Sequence, residues 1–149
     1  MHFFTFFKPK DTYLHDFREV IRYLGDGKSI YILAHSAGGL LSSLIEDEKS
    51  IRKSVCFGYP FKSPQKGFEP HRTQHLAGLK KPLLIIQGRN DEYGGEEITD
   101  LYQFSPQIRL MFIDSDHNYQ DIDATERSRI EAQIFAFLDL PITRPETME

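Results

Sequence analysis

Three features of the chain point to an α/β architecture, a three-layer αβα sandwich around a mainly parallel five-stranded sheet. Short runs rich in apolar and β-branched residues recur at 30–33, 54–58, 83–86 and 108–113, and they are apolar on both faces, as strands covered from both sides must be. Between them lie stretches whose apolar residues repeat at helical spacing. Residues with reactive chemistry, Ser36, Asp91 and His117, each follow the end of an apolar run. Loops converge at the carboxyl ends of parallel strands, so this is where a site belongs.

Taken in order, the aromatic-rich run 3–7, ended by Pro9, reads as a first strand. Asp11 or Thr12 is expected to cap a helix that lines Tyr13, Phe17, Val20, Ile21 and Leu24 along one face, with Gly25-Asp26-Gly27 ending it. Strand 30–33 runs into the turn Ala34-His35-Ser36-Ala37-Gly38-Gly39, then a helix over about 39–47 and a strand over about 54–58. The pattern lapses at 59–81, where Pro60, Pro64, Gly67 and Pro70 mark an excursion outside the sheet, of a length that usually serves function. Strand 83–86 leads into Gln87-Gly88-Arg89-Asn90-Asp91, and helical spacing resumes near Glu96 with Ile98, Leu101 and Tyr102. Strand 108–113 ends in Asp114-Ser115-Asp116-His117. The last helix, over about 124–138, takes Asp123 as cap with Glu126 completing a box-like cap, and turns Ile130, Ile134, Phe137 and Leu138 inward. Pro141 stops it. One domain over 1–140 and a polar tail over 141–149 are expected, with no internal repeat or low-complexity segment.

A chain of 149 residues suits one domain with a real core, since domains of this size bury roughly 70% of their unfolded surface. Its 40% hydrophobic and 27% charged residues are those of an ordinary globular protein. A net charge of −4, with no extended Lys/Arg cluster, argues against a nucleic-acid partner, because phosphate binding needs a basic face. No apolar run approaches the roughly 20 residues that span a bilayer, and the opening Met1-His2-Phe3-Phe4 lacks the pattern of a signal peptide. A cytoplasmic location without membrane partners is therefore expected. The single Cys56, within Val55-Cys56-Phe57, is expected to be a buried small hydrophobe.

The turn around Ser36 matches a G-x-S-x-G nucleophile elbow with Ala34 at the first small position. Small residues suit it because strand and helix approach closely around a strained serine, whose hydroxyl is lifted above the sheet. The Ala37 amide, at the helix start, then points where an oxyanion would form. Small-residue turns also occur in α/β proteins merely to let strand and helix pack. A serine needs a base to take its proton, and histidine, with a pKa near the working pH, suits that task. An acid must orient the imidazole and stabilise the imidazolium. Ser36, Asp91 and His117 follow the order Ser, Asp, His used by α/β-hydrolases.

Alternatives stand beside each assignment. Asp91 could cap its loop, His117 could be a surface histidine, and Asp100, Asp114 and Asp116 are rival acids. His35 is expected to pack or line the substrate pocket, directed away from Ser36. His71 and His75 stand four apart, but no glutamate or third ligand accompanies them, so neither metal nor cofactor is expected. Arg72 and His75 either tie the excursion to the body or meet an anionic group of the substrate.

The run Gly58-Tyr59-Pro60-Phe61, then Arg72-x-x-His75-Leu76, then Lys81-Pro82-Leu83-Leu84-Ile85-Ile86-Gln87-Gly88-x-x-Asp91-x-x-Gly94 resembles the dienelactone-hydrolase-like proteins of the testis-expressed and NSL-complex-subunit type, small α/β-hydrolases. The resemblance runs from Phe3 to the final helix. It implies a minimal or truncated α/β-hydrolase fold with Ser36 as nucleophile, Asp91 as acid and His117 as base. Two departures stand out: Ala34 replaces the usual glycine, and the strands that normally precede the one at 3–7 are expected to be missing from the fold. The loop after the third strand ordinarily supplies a second oxyanion amide, and losing one such donor costs roughly 3 to 4 kcal/mol of transition-state stabilisation. The strand at 3–7 is expected to pair directly with the elbow strand, with a homodimer through an open sheet edge as the fallback.

The expected activity is ester or thioester cleavage by acyl transfer on a small acyl substrate. A catalytically silent binding domain is the rival from another class, and a peptidase would share the triad.

Overall fold

The computed structural model describes residues 10–141. In chain order these form α1 (Lys10–Leu24), β1 (Ile30–His35), α2 (Ala37–Leu44), β2 (Ile51–Phe57), the hairpin strands β3 (Lys62–Ser63) and β4 (Gly67–Phe68), two 3-10 turns (Pro70–Arg72 and Leu76–Gly78), β5 (Leu83–Gly88), α3 (Ile98–Leu101), β6 (Ile108–Ile113) and α4 (Ala124–Leu138). The main sheet has the order β1-β2-β5-β6, with every neighbouring pair parallel. The expected first strand at 3–7, its pairing with β1 and the tail 142–149 lie outside the described residues.

Alternation along the strands divides the core between the two faces of the sheet. On one face Val55, Leu84, Ile86, Met111 and Ile113 pack under Ile130, Phe137 and Leu138 of α4. On the other, Cys56, Leu83 and Ile85 meet Tyr59, Phe61, Leu76, Leu79 and Ile98. Side chains such as Ile85 and Ile86, both 0% exposed, each stabilise the fold by roughly 1.5 to 3 kcal/mol through burial. A third cluster joins Ile21 of α1 to Ile32, Ile45 and Ile51. Arg18 of α1 reinforces it, donating to Glu48 at 2.8 Å and to the Leu44 carbonyl at 3.3 Å, so α1 holds the end of α2.

The helices differ from expectation at their ends. The first is already formed at Lys10, so Asp11 and Thr12 lie inside its first turn. α2 starts at Ala37, not Gly39, because the amides of Gly39 and Leu40 already bond the Ser36 carbonyl; it ends at Leu44, where Ile45 turns into the core. Near Glu96 only the single turn Ile98–Leu101 forms; Leu101 stays exposed, while the extended Tyr102 carries its ring onto Phe61 at 5.4 Å. At α4 Asp123 accepts from the Glu126 amide at 2.7 Å as expected, but the Glu126 carboxylate binds Arg129 instead of closing the box.

The segment 59–81 is less of an excursion than its composition suggests. Its backbone is irregular, yet Tyr59, Phe61 and Leu76 are fully buried, so it forms part of the layer covering one sheet face. A proline-interrupted chain has no periodicity to reveal this. Aromatic area does the work that a helical stripe does elsewhere.

Candidate active site

Ser36 occupies the apex between β1 and α2 with φ 53 and ψ −120. Only glycine enters that region freely, and a side-chain-bearing residue there costs roughly 1 to 3 kcal/mol. The surroundings enforce it. The Ser36 amide donates to the Phe57 carbonyl at 2.9 Å on the strand side, while its own carbonyl accepts the first bonds of α2 on the other. Close approach of helix to sheet is the reason for the small residues. A Cβ on Gly39 would lie 1.9 Å from Cys56 Sγ, whereas one on Gly38 would stand at 3.4 Å from the Ala34 methyl, an ordinary contact. Ala34 is therefore tolerated, and Gly39 is the strict position. Cys56 is fully buried beneath that helix, and burial pushes its thiol pKa up, which keeps it protonated.

Side chains from three strand ends meet above the sheet. His117 Nε2 lies 3.0 Å from Ser36 Oγ, and His117 Nδ1 lies 2.9 and 3.0 Å from the two oxygens of Asp91. The Asp91 side chain is 0% exposed and that of His117 11%, so their interaction is little screened by water. Asp91 also accepts from the Tyr93 amide at 2.8 Å and from Gln87 Nε2 at 3.1 Å. The rival carboxylates are engaged elsewhere or exposed: Asp116 accepts the Asn118 amide at 2.8 Å, Asp114 accepts from Asn90, and Asp100 is exposed. Ala37 is the first residue of α2 and exposed, and its amide belongs to the first turn, which lacks intrahelical partners.

Several residues that build this arrangement were given no role in the site by the sequence. Gln87 is 0% exposed; its carboxamide receives the Tyr59 amide at 2.9 Å and donates to the Gly94 carbonyl at 2.6 Å as well as to Asp91, joining the ends of β2 and β5. Gly58, at φ +58, lies beneath the pair: a Cβ there would stand 3.0 Å from His117 Nδ1 and 3.3 Å from Asp91. Gly88 allows the loop bearing His117 to cross β5, since a Cβ would come within 2.3 Å of the Ser115 carbonyl. The Tyr93 ring lies tilted against that of His117, with centroids 4.3 Å apart. Tyr119, at φ 58, anchors the same loop by donating to the Ile86 carbonyl at 2.7 Å, and burial raises its pKa so that it keeps this proton.

The other expected site residues divide. His35 is exposed, and its ring stands 5.0 Å from that of His117. Arg72 and His75 are ties of the segment 59–81. Arg72 donates to Glu69 at 2.6 Å and to the Pro60 carbonyl, while its own carbonyl accepts from Tyr59 Oη at 2.6 Å. His75 Nε2 meets Ser43 Oγ of α2 at 2.8 Å. The His75 bond reaches from the segment to α2, whereas the bonds of Arg72 stay within 59–81, and none of them reaches Ser36, His117 or Asp91. Among the described residues no group of three or more His, Cys, Asp or Glu side chains is placed to hold a metal, and no described helix is long and apolar enough to cross a membrane.

A hydroxyl bonded to an imidazole whose far nitrogen faces a buried carboxylate is the arrangement that activates serine toward acyl groups. Comparison with curated proteins gives no match. Among solved structures, an esterase of Pyrococcus furiosus superposes with TM-score 0.70 at 17% identity, over 91% of this chain and 63% of its own. A monoacylglycerol lipase of Paleococcus ferrophilus gives TM-score 0.65 at 12% identity, over 85% and 75%. The esterase domain of a Rhodothermus marinus protein gives 0.57 at 14%, over 84% and 68%. The chain thus spans under two thirds of the Pyrococcus esterase's length. A family model described as an alpha/beta hydrolase domain matches residues 8–137, and the chain belongs to that family.

Proposed function

We propose that this protein is a serine hydrolase that cleaves an ester or thioester by acyl transfer. The observation that carries the reading is the hydrogen-bonded line Ser36, His117, Asp91, with 3.0 Å from hydroxyl to imidazole and 2.9 Å from imidazole to carboxylate. Ser36 Oγ attacks the acyl carbon as His117 Nε2 takes its proton. The Ala37 amide stabilises the oxyanion, and Asp91 holds His117 in the tautomer with hydrogen on Nδ1. The leaving alcohol or thiol departs with the proton from His117. Water then attacks the acyl-serine, again giving its proton to His117, and the carboxylic acid leaves with Ser36 restored.

Ester chemistry agrees with the structural neighbours, an esterase and a monoacylglycerol lipase. Within the family, the motifs from Gly58 to Gly94 favour kinship with the dienelactone-hydrolase-like proteins. In this reading the protein forms one domain over 1–140, needs no cofactor, and acts on a small acyl substrate in the cytoplasm without nucleic-acid or membrane partners.

A short-chain nitrophenyl ester tests the reading. Wild type is expected to hydrolyse it, and Ser36→Ala to lose about 10⁴-fold or more in kcat. Equal rates for both would overturn the assignment and favour the catalytically silent binding domain.

A further inference from the structure

His35 is the last residue of β1 and the immediate neighbour of Ser36. Its Nε2 lies 3.0 Å from the backbone carbonyl oxygen of His117. A carbonyl only accepts, so Nε2 of His35 carries the hydrogen. On His117 the arrangement is opposite: Nδ1 faces Asp91 and carries the hydrogen, leaving Nε2 as acceptor for Ser36. Two consecutive residues at the end of β1 thus hold residue 117 at both ends, one at the ring and one at the backbone.

This double hold matters because the segment between β6 and α4 has no regular structure to fix it. Its further ties include Tyr119 to Ile86, the Ser115 carbonyl to the Asn90 amide at 3.2 Å, Asp114 to Asn90 and His117 to Asp91, and these run to β5 and the loop after it rather than to β1. The His35 bond joins the loop to the strand that carries Ser36. A misplacement of about 1 Å between reacting groups costs on the order of a hundredfold in rate.

We infer that His35 is a positioning residue, which donates to the His117 carbonyl and so sets the separation between His117 Nε2 and Ser36 Oγ. The inference rests on the reading of Ser36 and His117 as nucleophile and base. It adds a role to the packing or pocket lining expected of His35.

Two substitutions separate the hydrogen bond from simple packing. His35→Phe keeps a ring against His117 and Tyr119 but has no donor, and His35→Gln restores an N–H at similar reach. With the nitrophenyl ester, His35→Phe is expected to lower kcat roughly tenfold with KM within about twofold, and His35→Gln to recover most of the loss. In parallel, backbone amides 116–120 are expected to exchange hydrogen faster in His35→Phe but not in His35→Gln, with β5 amides unchanged. Wild-type kcat in His35→Phe, an effect confined to KM, or no rescue by glutamine overturns the inference. If the wild-type protein shows no turnover, the reading of the site fails and the exchange data alone decide: faster loop exchange in His35→Phe, absent in His35→Gln, supports the tie, and unchanged exchange overturns it.

Discussion

Ser36 is held in a conformation that its side chain disfavours, at φ 53 and ψ −120, by bonds from both the strand and the helix. Replacing it with glycine removes the Cβ responsible for the strain. Ser36→Gly is therefore expected to unfold about 2 to 4 °C higher than wild type, a gain of about 1 kcal/mol, while losing all turnover. Thermal unfolding checks this, and a lower midpoint would show that the hydroxyl's bond to His117 outweighs the strain. At this scale the sequence was informative wherever chemistry required a named residue after a strand. Ser36, Asp91 and His117 are separated in the chain and meet within 3.0 Å of one another in sequence of contact. Gln87 and Gly58 stand in the runs that carry the family resemblance, but their roles were not legible there, because nothing about a lone amide or glycine says what it will touch. Their roles exist only once β2 and β5 lie side by side and the loop from β6 crosses above them.

Among the elements, the segment 59–81 is joined to α2 by a half-buried histidine that lacks a full set of partners. His75 Nε2 bonds Ser43, and its Nδ1 is buried with no hydrogen-bond partner. Burial lowers its pKa from 6.5, opposed by the charge of Glu46. In the unfolded chain the same imidazole binds a proton near 6.5, so the unfolded state takes up protons first as pH falls. The contribution of His75 to stability is accordingly complete above that pH and declines as pH drops below it. Denaturant unfolding between pH 7.5 and 5 is expected to show a steeper loss in wild type than in His75→Gln; equal slopes would contradict this. The packing of this segment was hidden because two-residue strands and 3-10 turns leave no period, whereas β5, apolar from Leu83 to Ile86 and buried throughout, was plain. Helix ends were misplaced where tertiary bonds decide them, as at Ala37, whose helix begins on the carbonyl of Ser36.

For the molecule as a whole, the described sheet ends at β1, and that edge is unusually apolar: Tyr31 is 47% and Leu33 58% exposed. α4 covers the same sheet face farther along, packing over β2, β5 and β6. We propose that self-association, where it occurs, uses this edge. Sedimentation is then expected to show concentration-dependent dimers for wild type and monomers for Leu33→Lys, because a charge on an edge strand opposes pairing. Monomeric wild type at every concentration would remove the proposal. The parallel order β1-β2-β5-β6 brings three distant residues to one rim, and everything proposed about activity depends on that convergence. Treatment with a fluorophosphonate probe followed by peptide mass analysis examines it in one step. The expected result is one adduct, on Ser36, absent from Ser36→Ala and formed far more slowly by His117→Ala. No adduct on the wild-type protein, or equal labelling of Ser36→Ala, would contradict it.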